Sequence, residues 1–401
     1  RILSVSQLSE MNISRSIIED VKGLQAVMQE WRRDIHQHPE LAFNENRTAE
    51  MVAQNLKSFG AEVFTGIGKT GVVGKLTNGN SDNAIGLRAD MDALPMQENN
   101  DFSYRSINEG VFHGCGHDGH TAMLLGAAKY LSSTKEFDGT VYFIFQPAEE
   151  AAGGAPEMIK DGLFDKFRMT SVYGMHNMPG MPVGQFGIRS GHMFAAFAPF
   201  DIEITGIGGH AAMPQNCVDP IVISSSVIQA LQTVVSRNID PFKLSVISVT
   251  QVHAGDAYNV IPDKVKLCGG VRYFDQESGL IIKQRIEEIL QGICSTYGAS
   301  FTLNYDELYP VLSNHEKETD IAVTAASDLV GAEKVNAEIP ATAGSEDFAF
   351  MLQEKPGAYI LIGNGDGEGG CMIHHSSYDF NDRILPLGAS YWIQLTENIL
   401  T

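Results

Sequence analysis

The order of hydrophobic periodicities between residues 198 and 305 constrains this chain more than any other feature. Phe200, Ile202 and Ile204 alternate with polar neighbours, which predicts a strand over 198–206. A helix follows over 219–238, then strands at 244–253 and 265–274, a helix at 276–297 and a strand at 299–305. The order β-α-β-β-α-β is the split ferredoxin-like motif, and roughly a hundred residues suffice for one compact domain. The flanking sequence has another texture. An amphipathic helix over 15–34 and a helix over 46–59 precede β-branched runs at 71–76 and 84–88. A helix at 121–132 and strands at 141–145 and 171–174 follow. That alternation predicts an α/β sheet with helices on both faces. Helices near 315–330 and 386–399 and a strand at 358–362 return to it. The expected fold is therefore two-domain α/β: residues 13–191 and 308–401 form a sheet domain, and 192–307 an inserted βαββαβ domain. A length of 401 residues agrees with two cores.

Composition removes whole classes of partner. Lys plus Arg number 28 against 49 Asp plus Glu, a net charge of −21, which argues against nucleic acid and anionic membrane surfaces. No apolar run approaches the length of a spanning helix. The five cysteines are odd in number and scattered, a pattern suited to a reducing compartment, and a cytoplasmic location is expected. Cys217, Cys268 and Cys294 read as small buried apolar residues. Residues 1–12 are polar, show no basic-then-apolar signal pattern and are given no fold role.

Chemistry concentrates where the predicted strands end. The loop His113-Gly-Cys-Gly-His-Asp-Gly-His120 holds Cys115, His117 and His120 within six residues, and its glycines permit a tight backbone. Strand 84–88 runs into Asp90 and Asp92, strand 141–145 into Glu149 and Glu150, and strand 171–174 into His176. Ligands of open α/β sheets bind beyond the carboxyl ends of the strands, so these groups share one rim. Cys371-Met-Ile-His374-His375 adds late candidates. Each has a bland reading: a solvated strand end for Asp90 and Asp92, a helix N-terminus for Glu149-Glu150, a structural imidazole for His176 or His374. Together Cys115, His117, Glu150, His176 and His374 supply the mixed N, O and S donors of a dinuclear hydrolytic site. The adjacent glutamates cannot point alike, so one can bind metal while the other takes a proton from water.

Six stretches carry a resemblance to subfamily D of peptidase family M20. They are Arg33–Leu41, Arg88–Pro95, the 113–120 loop, Gln146–Glu150, Met175–Met178 and Gly344–Phe348. That group includes hippurate hydrolases, auxin-conjugate hydrolases and bacterial N-acyl-amino-acid deacylases. The resemblance implies a catalytic domain with an inserted lid that also dimerises, giving a homodimer or homotetramer. It implies two divalent ions (Zn, Mn, Ni or Co) held by Cys115, His117, Glu150, His176 and His374, with Glu149 as general base and Asp92 tuning it. His374 is preferred over His375 because it stands twelve residues before Pro386. Asp90 stands where some relatives place a histidine ligand. In the inserted domain His210, within Gly206-Ile-Gly-Gly-His-Ala-Ala-Met-Pro214, matches a histidine that polarises the scissile carbonyl. Pro214-Gln215 departs from many relatives, in which a histidine follows the proline. Asn259, Arg272 and Gly344 match substrate-binding positions, and an Arg can grip a carboxylate with two hydrogen bonds. The implied reaction is hydrolysis of an N-acyl amino acid to a carboxylic acid and a free amino acid. Two readings compete with it: a dipeptidase or aminoacylase of the same fold, and a non-catalytic metal-binding protein.

Overall fold

The computed structural model describes residues 18–150, 153–365 and 371–401. The 1–12 segment, the start of the helix expected from residue 15, and residues 366–370 of a Gly-rich loop lie outside the described residues. The chain divides into two compact units.

The first unit comprises residues up to Met193, Ser313–Pro340 and Asp347–Thr401. Its chain begins with a turn of helix at Glu19–Lys22, then α1 (Gln25–Gln37) and α2 (Asn46–Ser58). The single helix expected over 15–34 is thus interrupted at Gly23–Leu24 and runs on to Gln37, where His38 and Pro39 end it. Strands β1 (Glu62–Ile67), β2 (Gly71–Asn78) and β3 (Ala84–Asp90) follow, then α3 (His117–Thr134), β4 (Gly139–Gln146), α4 (Gly154–Lys160), β5 (Ser171–Pro179) and β6 (Phe186–Gly187).

The second unit, Phe194–Leu312 with Ala341–Glu346, is described by itself. It holds β7 (Ala196–Thr205), the short β8 (Gly209–His210), α5 (Pro220–Asn238) and β9 (Ser245–His253). The short β10 (Val260–Ile261), β11 (Lys264–Tyr273), α6 (Gln276–Tyr297) and β12 (Ser300–Tyr305) complete it. The four long strands form one antiparallel sheet in the order β9-β11-β7-β12. Along β7 every second residue is buried, because one face carries α5 and α6 and the other does not. Ala341–Glu346 joins this unit from a distant part of the sequence, and no periodicity announces it.

The chain re-enters the first unit with α7 (Glu316–Val330), β13 (Val335–Asn336), α8 (Phe348–Glu354), β14 (Gly357–Gly365) and α9 (Leu385–Ile399). Its sheet runs β1-β2-β4-β3-β5-β14-β6-β13. The central strands β4, β3, β5 and β14 are mutually parallel. They are buried throughout except at the occasional end residue, as parallel strands covered on both faces must be. Tyr173 and Met175 join the core shared with α3 and α9, whereas Gly174 between them faces Tyr359 and Phe348 on the other side. Helix α3 is buried over most of its length, and Gly119 in its first turn lets Phe380 pack directly on the backbone: a Cβ there would lie 2.2 Å from the ring. Parallel strands place all their carboxyl ends on one rim, and that rim carries the site.

Candidate metal centre

The exit of β3 sets the frame. Arg88 is buried and donates from Nε to Gln146 (2.8 Å), from Nη1 to Asp90 (2.7 Å) and from Nη2 to Asp347 (3.1 Å). Asp90 and Asp92 are almost wholly buried, at 0% and 1% exposure, which overturns the solvated-strand-end reading. Burial works against ionised Asp90, yet the charges of His117 and Arg88 and the hydrogen bond from His120 hold its carboxyl well below the usual range. Buried carboxylates persist only when so paired.

The loop reaches the rim through Gly116, which sits at φ 95° at the start of α3. A side chain there would be strained and would strike Asn177 at 2.3 Å. Asn177 donates to the Cys115 carbonyl (2.8 Å) and accepts from Tyr378 Oη (2.5 Å). His120 is spent inside this frame: Nδ1 meets Asp90 at 2.6 Å, and Nε2 accepts from the Asn177 backbone N–H at 3.0 Å. That backbone donor places the ring proton on Nδ1 and leaves no lone pair for a metal. His120 therefore braces the strand ends.

Among the described residues five groups of donor atoms lie within 4.8 Å of one another: Cys115, His117 and His176; Cys115, Glu150 and His374; His117, Glu149 and Glu150; Asp90, His117 and His120; Glu149, Glu346 and Asp347. Cys115 belongs to two of them, so its sulfur sits between two candidate cation positions. Its Sγ is 3.4 Å from His176 Nε2. His176 Nδ1 lies 2.6 Å from the Asn177 carbonyl and His117 Nδ1 2.9 Å from the Asp92 carbonyl. Each contact puts the ring proton on Nδ1 and turns Nε2 to the site, as carbonyl acceptors behind metal-binding histidines do. His117 Nε2 is buried without a hydrogen bond, 3.7 Å from Asp90 and 3.9 Å from Glu150. An unbonded buried ring nitrogen facing a thiol and carboxylates is what a metal ligand looks like before its cation is added. The donor set thus fits a pair of divalent ions.

Glu150 Oε1 lies 3.2 Å from His374 Nε2, and its backbone N–H donates to Asp92 at 2.9 Å. His374 adopts φ 64°, and its backbone N–H donates to the Gly114 carbonyl at 2.7 Å, which ties the late segment to the loop. His375 instead accepts the Ser377 N–H at 3.1 Å; both histidines are exposed. Glu149 is buried at 7% exposure.

Among the site's own groups the electrostatics are set by burial and by neighbouring charges. Burial disfavours the His117 imidazolium, but Asp90, Asp92 and Glu150 outweigh it and push its pKa up to about 10. Burial, then the charges of Glu150, Glu149 and Asp90, raise the Cys115 thiol well above its ordinary range. Burial and the neighbouring His120 and His117 drive His176 far down, so that it is a neutral ring.

Four further candidates lie in the second unit. His210 is on β8 beside Val260 of β10, and its Nδ1 accepts the Ala212 N–H at 3.1 Å, which leaves the proton on an exposed Nε2. The Asn259 carbonyl accepts from Ala211 at 3.0 Å. Arg272 lies over the Phe197 ring at 3.9 Å and donates to Ser345 Oγ at 2.6 Å, next to Gly344. Among the remaining cysteines, Cys294 is buried as expected, but Cys217 and Cys268 are only half-buried, and Cys268 Sγ lies 3.0 Å from Asp201. Cys268 opposes Asp201 across β11 and β7, and that cross-strand pairing is absent from local sequence.

Sequence reasoning missed Arg88, Asn177 and Tyr378 as parts of this frame. An arginine inside an otherwise apolar strand run was the available signal for Arg88. The others have none at short range.

The model of peptidase family M20/M25/M40 matches residues 86–398. A hippurate hydrolase of Campylobacter jejuni is 44% identical over 380 residues, which is 95% of this chain and 98% of that protein. An N-acetylcysteine deacetylase of Bacillus subtilis is 37% identical, covering 92% of this chain and 96% of that one. A crystal structure of a dinuclear metal-binding M20 peptidase from Bacillus subtilis superposes with a TM-score of 0.82 at 32% identity, over 94% of this chain and 99% of that one.

Proposed function

The chain belongs to peptidase family M20/M25/M40, and from that premise we propose that it is a metal-dependent amidohydrolase cleaving N-acyl amino acids. The observation that carries this reading is Cys115 shared between two triads of metal donors, with Glu149 beside the ligand Glu150. A pair of divalent ions, when bound, supplies Lewis-acid polarisation of the amide carbonyl and an acidified water.

The protein's part is orientation and proton movement. Cys115, His117, Glu150, His176 and His374 would hold the ions, and zinc, manganese, nickel and cobalt would all suit such mixed donors. Glu149 takes the proton of the attacking water and returns it to the leaving amine. Asp92 accepts from both His117 Nδ1 (3.2 Å) and the Glu150 backbone N–H, so it aligns a ligand ring and the glutamate turn at once. His210 offers its Nε2 proton to the developing oxyanion. Arg272, with Asn259 and Gly344, receives the substrate carboxylate; Ser345 and Phe197 steer its guanidinium.

The second unit serves as lid and as the interface of a homodimer or homotetramer. Strand β9 is an edge strand with Val246 44% and Val252 54% exposed, a surface that pairing would cover. Among the described residues no helix is long and apolar enough to cross a membrane, and the cysteines are unpaired. A cytoplasmic setting agrees with those thiols.

The test is a panel of hippurate, N-acetyl amino acids and dipeptides, assayed after chelation and after adding back each of the four metals. Restored cleavage of N-acyl amino acids is the expected result. Hydrolysis that survives chelation, or metal binding with no hydrolysis of any panel member, overturns it.

A further inference from the structure

Glu45 stands at the entrance of α2, where a carboxylate ordinarily caps its own helix, yet its side chain makes no cap hydrogen bond. It is fully buried and turned the other way. Its Oε1 accepts the Ala148 backbone N–H at 2.9 Å, and its Oε2 accepts the Thr70 hydroxyl at 2.6 Å. Ala148 is the strained residue of the turn leaving β4: a non-glycine at φ 56°, a backbone region that side chains disfavour. Its carbonyl accepts from Gly154 at 2.9 Å, which closes the turn on its far side. Two residues on, the Glu150 N–H is held by Asp92. The segment carrying Glu149 and Glu150 is thus pinned at two backbone donors by two buried carboxylates. Asp92 belongs to the metal frame already described. Glu45 comes from outside every site motif.

We infer that Glu45 is a positioning residue: by holding the Ala148 N–H it keeps the 147–150 turn in the conformation that aims Glu150 at the metals and Glu149 at the water. This rests on the amidohydrolase reading for the role of Glu149, and on the donor geometry alone for that of Glu150. Strain at a functional turn persists only where the surroundings impose it, and Glu45 is the group that reaches this one from α2. Three substitutions separate reach from charge. Ala removes the acceptor. Asp keeps the carboxyl group but is one methylene short. Gln keeps an acceptor for Ala148 and offers a donor to Thr70.

The full-length protein is stripped with a chelator and titrated with cobalt(II), read by thiolate-to-cobalt absorption. Glu45→Ala and Glu45→Asp are expected to weaken cobalt binding about tenfold or more, the scale seen when outer-shell partners of a metal site are lost. Glu45→Gln is expected to recover most of that loss. In metal-loaded protein turning over an N-acyl amino acid, Ala and Asp lower kcat about tenfold while KM stays within about twofold, because the turn bears on the reaction step more than on substrate capture. Wild-type cobalt affinity in both Ala and Asp variants, or a Gln variant as impaired as Ala, overturns the proposal. If the Ala variant does not fold, the comparison of Asp with Gln decides alone. A wild-type protein that binds cobalt yet cleaves no N-acyl amino acid refutes the activity reading only, and the cobalt series then still decides the role of Glu45.

Discussion

Replacing Glu45 with Gln has a consequence for stability whose sign and size follow from burial. Desolvation raises the Glu45 carboxyl to about 7 from 4.5; the Thr70 hydrogen bond pulls down and the Asp92 charge pushes up. The folded state therefore holds a proton that the unfolded chain releases. Stability falls as pH rises wherever the native state binds more protons, so the wild type loses stability between the two values and stays penalised above pH 7. At about 1.36 kcal/mol per unit the full penalty is about 3 kcal/mol. Glutamine does not ionise and escapes it. Between about pH 5.5 and 8 the stability of Glu45→Gln relative to wild type should grow by about 2 kcal/mol, the part of the penalty that develops over that span. The assay is urea unfolding of metal-free protein by far-ultraviolet circular dichroism at several pH values, with midpoints compared at constant slope. A gap that stays flat, or narrows as pH rises, would refute the reasoning, because it would mean that Glu45 is ionised at no cost in the folded protein.

Glu149→Gln should lower kcat by about 10²–10⁴ while cobalt stoichiometry holds, since it removes a proton acceptor and keeps shape; full turnover would sink the base assignment. Arg88→Met should destabilise by about 3–5 kcal/mol in denaturant melts, because it strands the buried carboxylates of Asp90 and Asp347. A loss below about 1 kcal/mol would show that those acids find other partners. Cobalt affinity should rise with pH across the neutral range, since binding expels protons from the raised Cys115 thiol and from His117, whose pKa is about 10. A pH-independent affinity would contradict the proton-filled state of the cation-free site.

Most long elements were legible because their periodicities are strong. Helix α6 was expected over 276–297 and spans Gln276–Tyr297, and the β-α-β-β-α-β order of the second unit is the observed one. The failures share a cause: they depend on contacts distant in sequence. Strand β1 has a mostly exposed pattern and gains its place by pairing with β2, so no apolar alternation marks it. Ala341–Glu346 joins the second unit through hydrogen bonds such as Ser345 to Ala195, 150 residues away. In the site the ligand types could be read because thiol, imidazole and carboxylate at strand ends are rare without a purpose. Their supports could not. Asp90 reads as a surface acid until Arg88 and His120 are seen on either side of it, and Glu45 reads as an ordinary helix-start glutamate until its carboxylate is found on Ala148.

Charge balance explains why the supports matter as much as the ligands. Asp92, Glu149, Glu150 and a Cys115 thiolate would bring four negative charges to one buried rim, and two divalent ions would match them. Without cations the same groups must share protons, and the raised thiol and the His117 imidazolium are where those protons reside. Asp90 stands between two sets of partners: Arg88 and His120 hydrogen-bond it from within the fold, and its charge also favours the His117 imidazolium. The frame thus has a lower layer, Arg88 with Asp90, Asp347 and His120, joined by hydrogen bonds of the fold's own, and an upper layer in which metal and proton compete. Removal of the metal then leaves the strand ends in place, because the hydrogen bonds that hold them do not pass through it.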